Sequence, residues 1–326
     1  MFICLAVAQG LMDKLLIGSA RHLESAGGLR RFDYLMLNLP YVCNYRCPKC
    51  CNASAAEHKE APLSFDEILN LIQQAGDLKI RVLVIAGEGE PILNPNIEEI
   101  VVATHANGLI PYIFTNGSML EYGTAGFLKR QGASLIVNMD SLKPGLYEQF
   151  TGVKRSYEQI HRNLRDIRSI FSDTHREMAG YALRRVAINM VASESNAAEI
   201  GSIRKFCGDD FVFVCNTPMS RGRAKDNPEF TYAKTDSKTI PLGTTSDNSW
   251  CAYMRNGISV GARGEILACA YALESAGLMG NIREGGLSQF IGRANAAIDR
   301  FHEQYRHTRC IVRHPHYDKF TEVLKR

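Results

Sequence analysis

From about residue 32 onward the chain repeats one unit: a short β-branched or apolar run, a polar or Gly-rich turn, then a segment of helical period. The strand-like runs are Tyr34–Pro40, Arg81–Gly87, Pro111–Thr115, Leu135–Asp140, Val186–Ala192 and Phe211–Asn216. Each is apolar nearly throughout, the pattern expected of strands in a parallel sheet covered on both faces. Helical patterns fall between them. In Ser64–Leu78, Ser64 is a suitable N-cap and Glu67 stands three residues on, where a capping box needs it. Six βα units in order predict an α/β fold, either a doubly wound sheet or an open, partial barrel. In both, ligands bind beyond the carboxyl ends of the strands, so residues there carry the functional weight.

After Asn216 the repeat stops. Residues 217–250 are rich in Pro, Gly, Ser, Thr and Asp and read as connecting loop, and Gly257–Ala270 reads as a hairpin. In it Ile258–Gly261 and Glu265–Ala270 flank a turn around Ala262–Gly264. A helix over about Leu287–Arg306 and a His-rich tail follow. Ahead of the first strand, Phe2–Ala8 lacks the basic flank and cleavage site of a signal peptide and is too short to cross a bilayer. With Leu11–Leu23 it reads as a helical N-terminal extension. The expected division is 1–31 extension, 32–217 barrel, and 218–326 linker with a small C-terminal domain.

Hydrophobic residues make up 45% and charged residues 22% of the 326, an ordinary globular balance. A net charge of +4 without a dense Lys/Arg block predicts no nucleic-acid partner, and no apolar run is long enough for a membrane. Ten cysteines without a secretion signal point to a reducing, cytoplasmic setting in which thiols are free to bind metal.

Three of those cysteines lie directly after the first strand, in Cys43-Asn-Tyr-Arg-Cys47-Pro-Lys-Cys50. A loop this short lets three sulfurs converge on one metal centre, and thiolates select zinc or iron–sulfur centres. Structural zinc usually takes four protein ligands, often as paired C-x2-C units. A triplet with no paired counterpart suits a cubane whose fourth iron binds something else; a zinc site or an adventitious cluster of thiols is the alternative.

In this position, after the first strand of a six-fold βα pattern, the triplet resembles the Cys-x3-Cys-x2-Cys loop of radical S-adenosylmethionine (SAM) enzymes. The resemblance covers about residues 32–326 and implies a partial (β/α)6 barrel of the TIM type. It implies a [4Fe–4S] cluster on Cys43, Cys47 and Cys50 whose open iron chelates the amino and carboxylate groups of SAM. An electron from the cluster would cleave the sulfonium to a 5′-deoxyadenosyl radical, which abstracts hydrogen from substrate. Gly87-Glu-Gly-Glu-Pro91 resembles the family's Gly-Gly-Glu motif, with Glu88 in place of the first glycine, and implies that Gly89 and Glu90 contact the methionine amine. Phe114-Thr-Asn-Gly117 and Asn138-Met-Asp140-Ser141 resemble further SAM-contacting strand ends, making Asn116 and Asn138 cofactor-binding candidates, with Asn189 a third. Strand-end capping is the plainer role for each. Lys49 departs from the family, which often has an aromatic adenine neighbour before the third cysteine. Cys51 is expected to be a spare or buried thiol. In Ser220-Arg-Gly-Arg-Ala224 the two arginines either clamp a carboxylate or phosphate or belong to a solvated loop.

The later cysteines, Cys251, Cys269 and Cys310, surround the expected hairpin and resemble a twitch or SPASM extension holding an auxiliary [4Fe–4S] cluster. The short, single-cluster twitch form matches better. Its fourth ligand would be His314, His316, another group or the substrate; three structural cysteines without a cluster are the alternative. Cys215, at the end of the sixth strand, is either a hydrogen-atom donor at the barrel mouth or a small buried residue.

The resemblance implies an oxidoreductase, epimerase or lyase acting on a small polyhydroxylated substrate (a sugar, aminocyclitol or nucleoside type) in natural-product or antibiotic biosynthesis. It also implies an external one-electron reductant such as flavodoxin or ferredoxin. Modification of a peptide or protein is the second reading, and a non-catalytic Fe–S scaffold or electron carrier the third.

Overall fold

The computed structural model describes residues 14–28, 30, 32–40, 42–52, 61–216, 222–227, 230, 256–267 and 278–305. Along them run β1 (Lys14–Leu16), α1 (Ala20–Ser25), β2 (Tyr34–Leu39), α2 (Phe65–Asp77), β3 (Val82–Gly87) and α3 (Ile97–Ala106). Next come β4 (Ile110–Thr115), α4 (Tyr122–Arg130), β5 (Ser134–Asn138), α5 (Pro144–Thr151), α6 (Ser156–Phe171), β6 (Arg176–Met178) and β7 (Tyr181–Arg184). The chain continues through β8 (Val186–Val191), α7 (Ile200–Cys207), β9 (Val212–Asn216), β10 (Gly257–Val260), β11 (Glu265–Leu267), β12 (Leu278–Asn281) and α8 (Leu287–Tyr305).

The six expected runs form six neighbouring parallel strands, in the order β2-β3-β4-β5-β8-β9. Their side chains divide by parity, as the pleat requires. Leu35, Leu37, Leu83, Ile85, Ile113, Leu135, Val137 and Ile188 face the helix-covered core. Tyr34, Met36, Val82, Val84, Tyr112, Phe114, Ile136, Ala187, Val212 and Val214 share the inner core. Both faces are therefore buried, which is why the strands read as continuous apolar runs. At the carboxyl ends the inner parity falls on Asn138, Asn189 and Asn216, so the apolar interior gives way to amides at the mouth.

The helix over 65–77 forms as the capping box requires: Ser64 Oγ accepts from the Glu67 N–H, and Glu67 Oε2 accepts from the Ser64 N–H at 2.7 Å. Among the described residues no helix is long and apolar enough to cross a membrane.

Two expectations are corrected at the edges. The part of the N-terminal extension that is described is not one helix. Lys14–Leu16 is a strand pairing in parallel with β7, and only Ala20–Ser25 is helical. Gly18, at φ +86°, turns the chain between them, and a Cβ there would meet the Tyr112 ring at 3.1 Å. Leu15 and Leu16 point to opposite sides, one to Leu183 and the other into the inner core. A two-residue alternation was hidden inside an apolar run long enough to suggest a helix. The β6–β7 hairpin, turning at Ala179 and Gly180 with both φ positive, was also not expected.

The C-terminal hairpin forms as β10 and β11, and β12 adds a third strand that the hairpin pattern did not include. β10 pairs in parallel with β2, from Gly257↔Tyr34 to Val260↔Leu37, so this unit continues the barrel sheet beyond its first strand. Arg283 ties it to α2 through Glu67 at 2.5 Å.

Candidate active site

The loop after β2 carries Cys43, Cys47 and Cys50, all half-buried, at the carboxyl end of the parallel strands. It has little regular structure of its own and is fixed by its neighbours. The Cys50 N–H reaches the Cys47 carbonyl at 3.1 Å, and the Arg46 N–H reaches the Thr151 carbonyl at 2.9 Å. Arg46 Nη1 also donates to the Cys43 carbonyl at 2.6 Å. Asn44 donates to Ser118 Oγ at 2.8 Å and accepts from Asn116 Nδ2 at 2.9 Å. From beyond β9, Arg223 Nε donates to the Cys47 carbonyl at 3.0 Å. Arg223, one of the two arginines considered as an anion clamp, thus braces the loop; Arg221 lies outside the described residues.

The three thiols are electrostatic neighbours. Burial pushes the Cys47 thiol up to about 12, and the charges of Cys50 and Cys43 push the same way, opposed by the Lys49 ammonium. Among the described residues no group of three or more His, Cys, Asp or Glu closes on a single metal ion. Three thiols on this spacing fit a cubane, in which each thiolate binds its own iron.

Lys49 spans the mouth from this loop. Its Nζ lies 2.6 Å from Asp140 Oδ2 and 4.2 Å from the centre of the Phe150 ring. Asp140 is fixed in turn, because its Oδ1 accepts from the Val191 N–H at 2.6 Å.

The Gly-Glu turn after β3 lies against the same loop. The Glu90 N–H donates to the Val42 carbonyl at 2.7 Å, and Asn52 Nδ2 donates to the Gly87 carbonyl at 3.0 Å. Gly87 cannot carry a side chain, since a Cβ would sit 2.8 Å from the Gly89 carbonyl oxygen. The Glu90 carboxyl points inward, 3% exposed, accepting from Thr115 Oγ1 and the Asn116 N–H, each at 2.6 Å, and from the Ile92 N–H at 3.2 Å. Burial pushes it up to about 7 against the pull of those donors. Glu90 therefore ties the β3 and β4 ends together, while Gly87, Glu88 and Gly89 are half-buried.

Asn138 and Asn189, opposite one another in the β5–β8 register, meet side by side. Asn216 Nδ2 donates to Asn189 Oδ1 at 2.6 Å, and Asn189 Nδ2 donates to Asn138 Oδ1 at 2.9 Å. Asn189 is fully buried; Asn138, at the end of the relay, is partly open. Asn216 was missed as a site residue, although its parity with Val212 and Val214 marks it. Asn44 and Ser118 were missed too, since nothing local separates them from ordinary loop residues; Asp140 stood within the Asn138–Ser141 strand end but was not singled out.

Of the two readings of Cys215, the structure fits the small buried residue. Strand alternation places it opposite Asn216, and it packs against the helix-covered core, where burial pushes its thiol up to about 11. It is not part of the amide row at the mouth. Cys251, Cys269, Cys310, His314 and His316 lie outside the described residues.

Residues 37–182 match the family described as the radical SAM superfamily. Over 129 residues the chain is 33% identical to a GTP 3',8-cyclase of Stenotrophomonas maltophilia (strain K279a), a stretch covering 39% of this chain and 39% of that relative. The match thus spans about two fifths of that relative's length. A GTP 3',8-cyclase of Sulfurovum sp. (strain NBC37-1) is 23% identical over 282 residues, covering 80% of this chain and 86% of the relative. In fold the chain is similar to Streptococcus suis SuiB bound to S-adenosylmethionine, with a TM-score of 0.57 at 14% identity over 79% of this chain and 65% of that one. It is also similar to anSMEcpe with bound AdoMet, with a TM-score of 0.56 at 15% identity over 80% of this chain and 81% of that one.

Proposed function

We propose, from the match of residues 37–182 to the radical SAM superfamily, that this protein is an enzyme that reductively cleaves SAM and uses the product to abstract hydrogen from a small polyhydroxylated substrate. The observation that carries the reading is the Cys43/Cys47/Cys50 loop at the carboxyl end of six parallel strands, facing the Glu90 turn and the Asn138 amide row. Within the substrate class, the nucleoside type draws support from the relatives named GTP 3',8-cyclase.

Cys43, Cys47 and Cys50 would hold a [4Fe–4S] cluster, which with bound SAM supplies a 5′-deoxyadenosyl radical. The chain's own part is to position and enclose. Asn44, Arg46 and Arg223 hold the cysteine loop by side-chain bonds to its surroundings or its carbonyls. Glu90 fixes the turn that faces the loop, through Thr115 and Asn116. Asn138, its oxygen taken by Asn189, has its amide nitrogen to offer an acceptor on the cofactor. A second cluster on Cys251, Cys269 and Cys310, with His314 as a candidate fourth ligand, belongs to the same proposal, as does an external one-electron reductant.

Anaerobic reconstitution with iron, sulfide and SAM under a chemical reductant tests this. The wild-type protein is expected to form 5′-deoxyadenosine, and C43A/C47A/C50A none. Formation by the triple variant at the wild-type rate would overturn the assignment.

A further inference from the structure

A buried lysine beside three metal-binding thiols needs a reason, because an ammonium loses its hydration there and a neutral side chain would pack at less cost. Lys49 stands between Cys47 and Cys50, with its side chain 8% exposed. Two groups hold its Nζ: Asp140 Oδ2 at 2.6 Å, and the face of Phe150 with its centre at 4.2 Å. Asp140 is itself immobilised by the Val191 N–H on Oδ1, and its carbonyl accepts from Asn196 Nδ2 at 2.8 Å. The cation is thus set in place from both sides, in surroundings where water screens little.

We propose that Lys49 is a positioning residue that places a fixed positive charge beside the cluster and makes that cluster easier to reduce. This rests on the reading of Cys43, Cys47 and Cys50 as cluster ligands. The step concerned is the gain of one electron from an external one-electron donor, taking the [4Fe–4S] core from the 2+ to the 1+ state with no bond made or broken. A nearby cation favours the state with the extra negative charge. Asp140 works against this, but its role is to hold the ammonium, and Lys49 is the charge carried on the ligand loop itself, between Cys47 and Cys50.

The test is an EPR-monitored redox titration with dithionite, without SAM, on reconstituted wild type, K49M, K49Q and K49R. The neutral variants are expected to titrate at more negative potential. At the poise that half-reduces wild type, they would show a several-fold smaller reduced fraction. K49R keeps the charge and is expected to stay close to wild type. Having two neutral variants guards against one that folds poorly. Neutral variants that titrate with wild type, or a K49R that shifts as far as they do, would reduce Lys49 to a packing role and overturn the inference. A wild-type protein that takes up no iron would instead overturn the reading of the loop, before any comparison of potentials.

Discussion

Asn189 Nδ2 donates to Asn138 Oδ1 at 2.9 Å across neighbouring strand ends, while its own oxygen accepts from Asn216. Because every link runs the same way, the row has a polarity, and its last free donors are on the Asn138 nitrogen. Asn189→Leu would strand a buried donor on Asn216, while the Asn138 acceptor is partly open to water. A loss of about 1–3 kcal/mol for the group left unsatisfied is expected in urea unfolding. Asn138→Asp still accepts from Asn189 but offers no donor to the mouth. It is expected to unfold near wild type while binding SAM about tenfold more weakly, the equivalent of one lost hydrogen bond. Unchanged SAM affinity by calorimetry would remove Asn138 from the site.

Glu90 carries a pH signature. Burial raises its folded pKa to about 7 from an ordinary 4.5, so between those values the folded state binds more protons than the unfolded one. The sign follows: stability from this group is present in full below pH 4.5 and lost as pH rises toward 7. A shift of that size corresponds to about 3 kcal/mol as an order of magnitude. Wild type is expected to lose stability between pH 5 and pH 7.5 relative to Glu90→Gln, which does not titrate. Urea unfolding of both proteins at the two pH values checks it, and parallel profiles would show that the three donors around Glu90 offset its burial.

Most of the scaffold was legible in the sequence for one physical reason. In a parallel sheet buried on both faces each strand is a continuous apolar run, so β2, β3, β4, β5, β8 and β9 could be placed within a residue or two. The cysteine loop and the Gly-Glu turn were legible because their chemistry is local. Partners remote in sequence were not. Lys49 finds Asp140 91 positions on, and Asn44 finds Ser118 and Asn116; only the curl of the chain brings these together. Cys215 was left with two readings. Its place at a strand end drew attention, while the pleat sends it to the other face from Asn216.

The proposed second cluster can be counted. A reconstituted protein with two cubanes holds about eight Fe per chain and one with a single cubane about four, from cluster stoichiometry. C251A/C269A/C310A is expected to halve the iron while leaving 5′-deoxyadenosine formation without substrate in place. An iron content equal to wild type would return these three residues to ordinary structural cysteines. His314→Ala, measured alongside, separates a histidine-closed cluster, whose EPR spectrum changes, from one closed by another group.

Gly152 couples the fold to the cysteine loop by shape alone. It caps α5 in the left-handed region at φ +68°, and a Cβ there would lie 2.7 Å from the Arg46 carbonyl oxygen. That oxygen belongs to the peptide leading into Cys47, and the Arg46 N–H, one peptide earlier, is bonded to the neighbouring Thr151 carbonyl at 2.9 Å. Gly152→Ala therefore meets two obstacles: a backbone conformation costing about 1 kcal/mol or more for a non-glycine residue, and a contact with backbone rather than with a yielding side chain. The cheapest relief is for the loop to move, displacing Cys47. The expected result is a modest fall in Tm together with a larger fall in iron retained after reconstitution. Gly180→Ala supplies the control, because it has a similar positive φ of +80° with nothing within 4 Å of the added Cβ. It should lose comparable backbone stability and keep its iron. Equal iron loss in the two variants would mean that backbone strain, and not contact with the cysteine loop, is what Gly152 avoids.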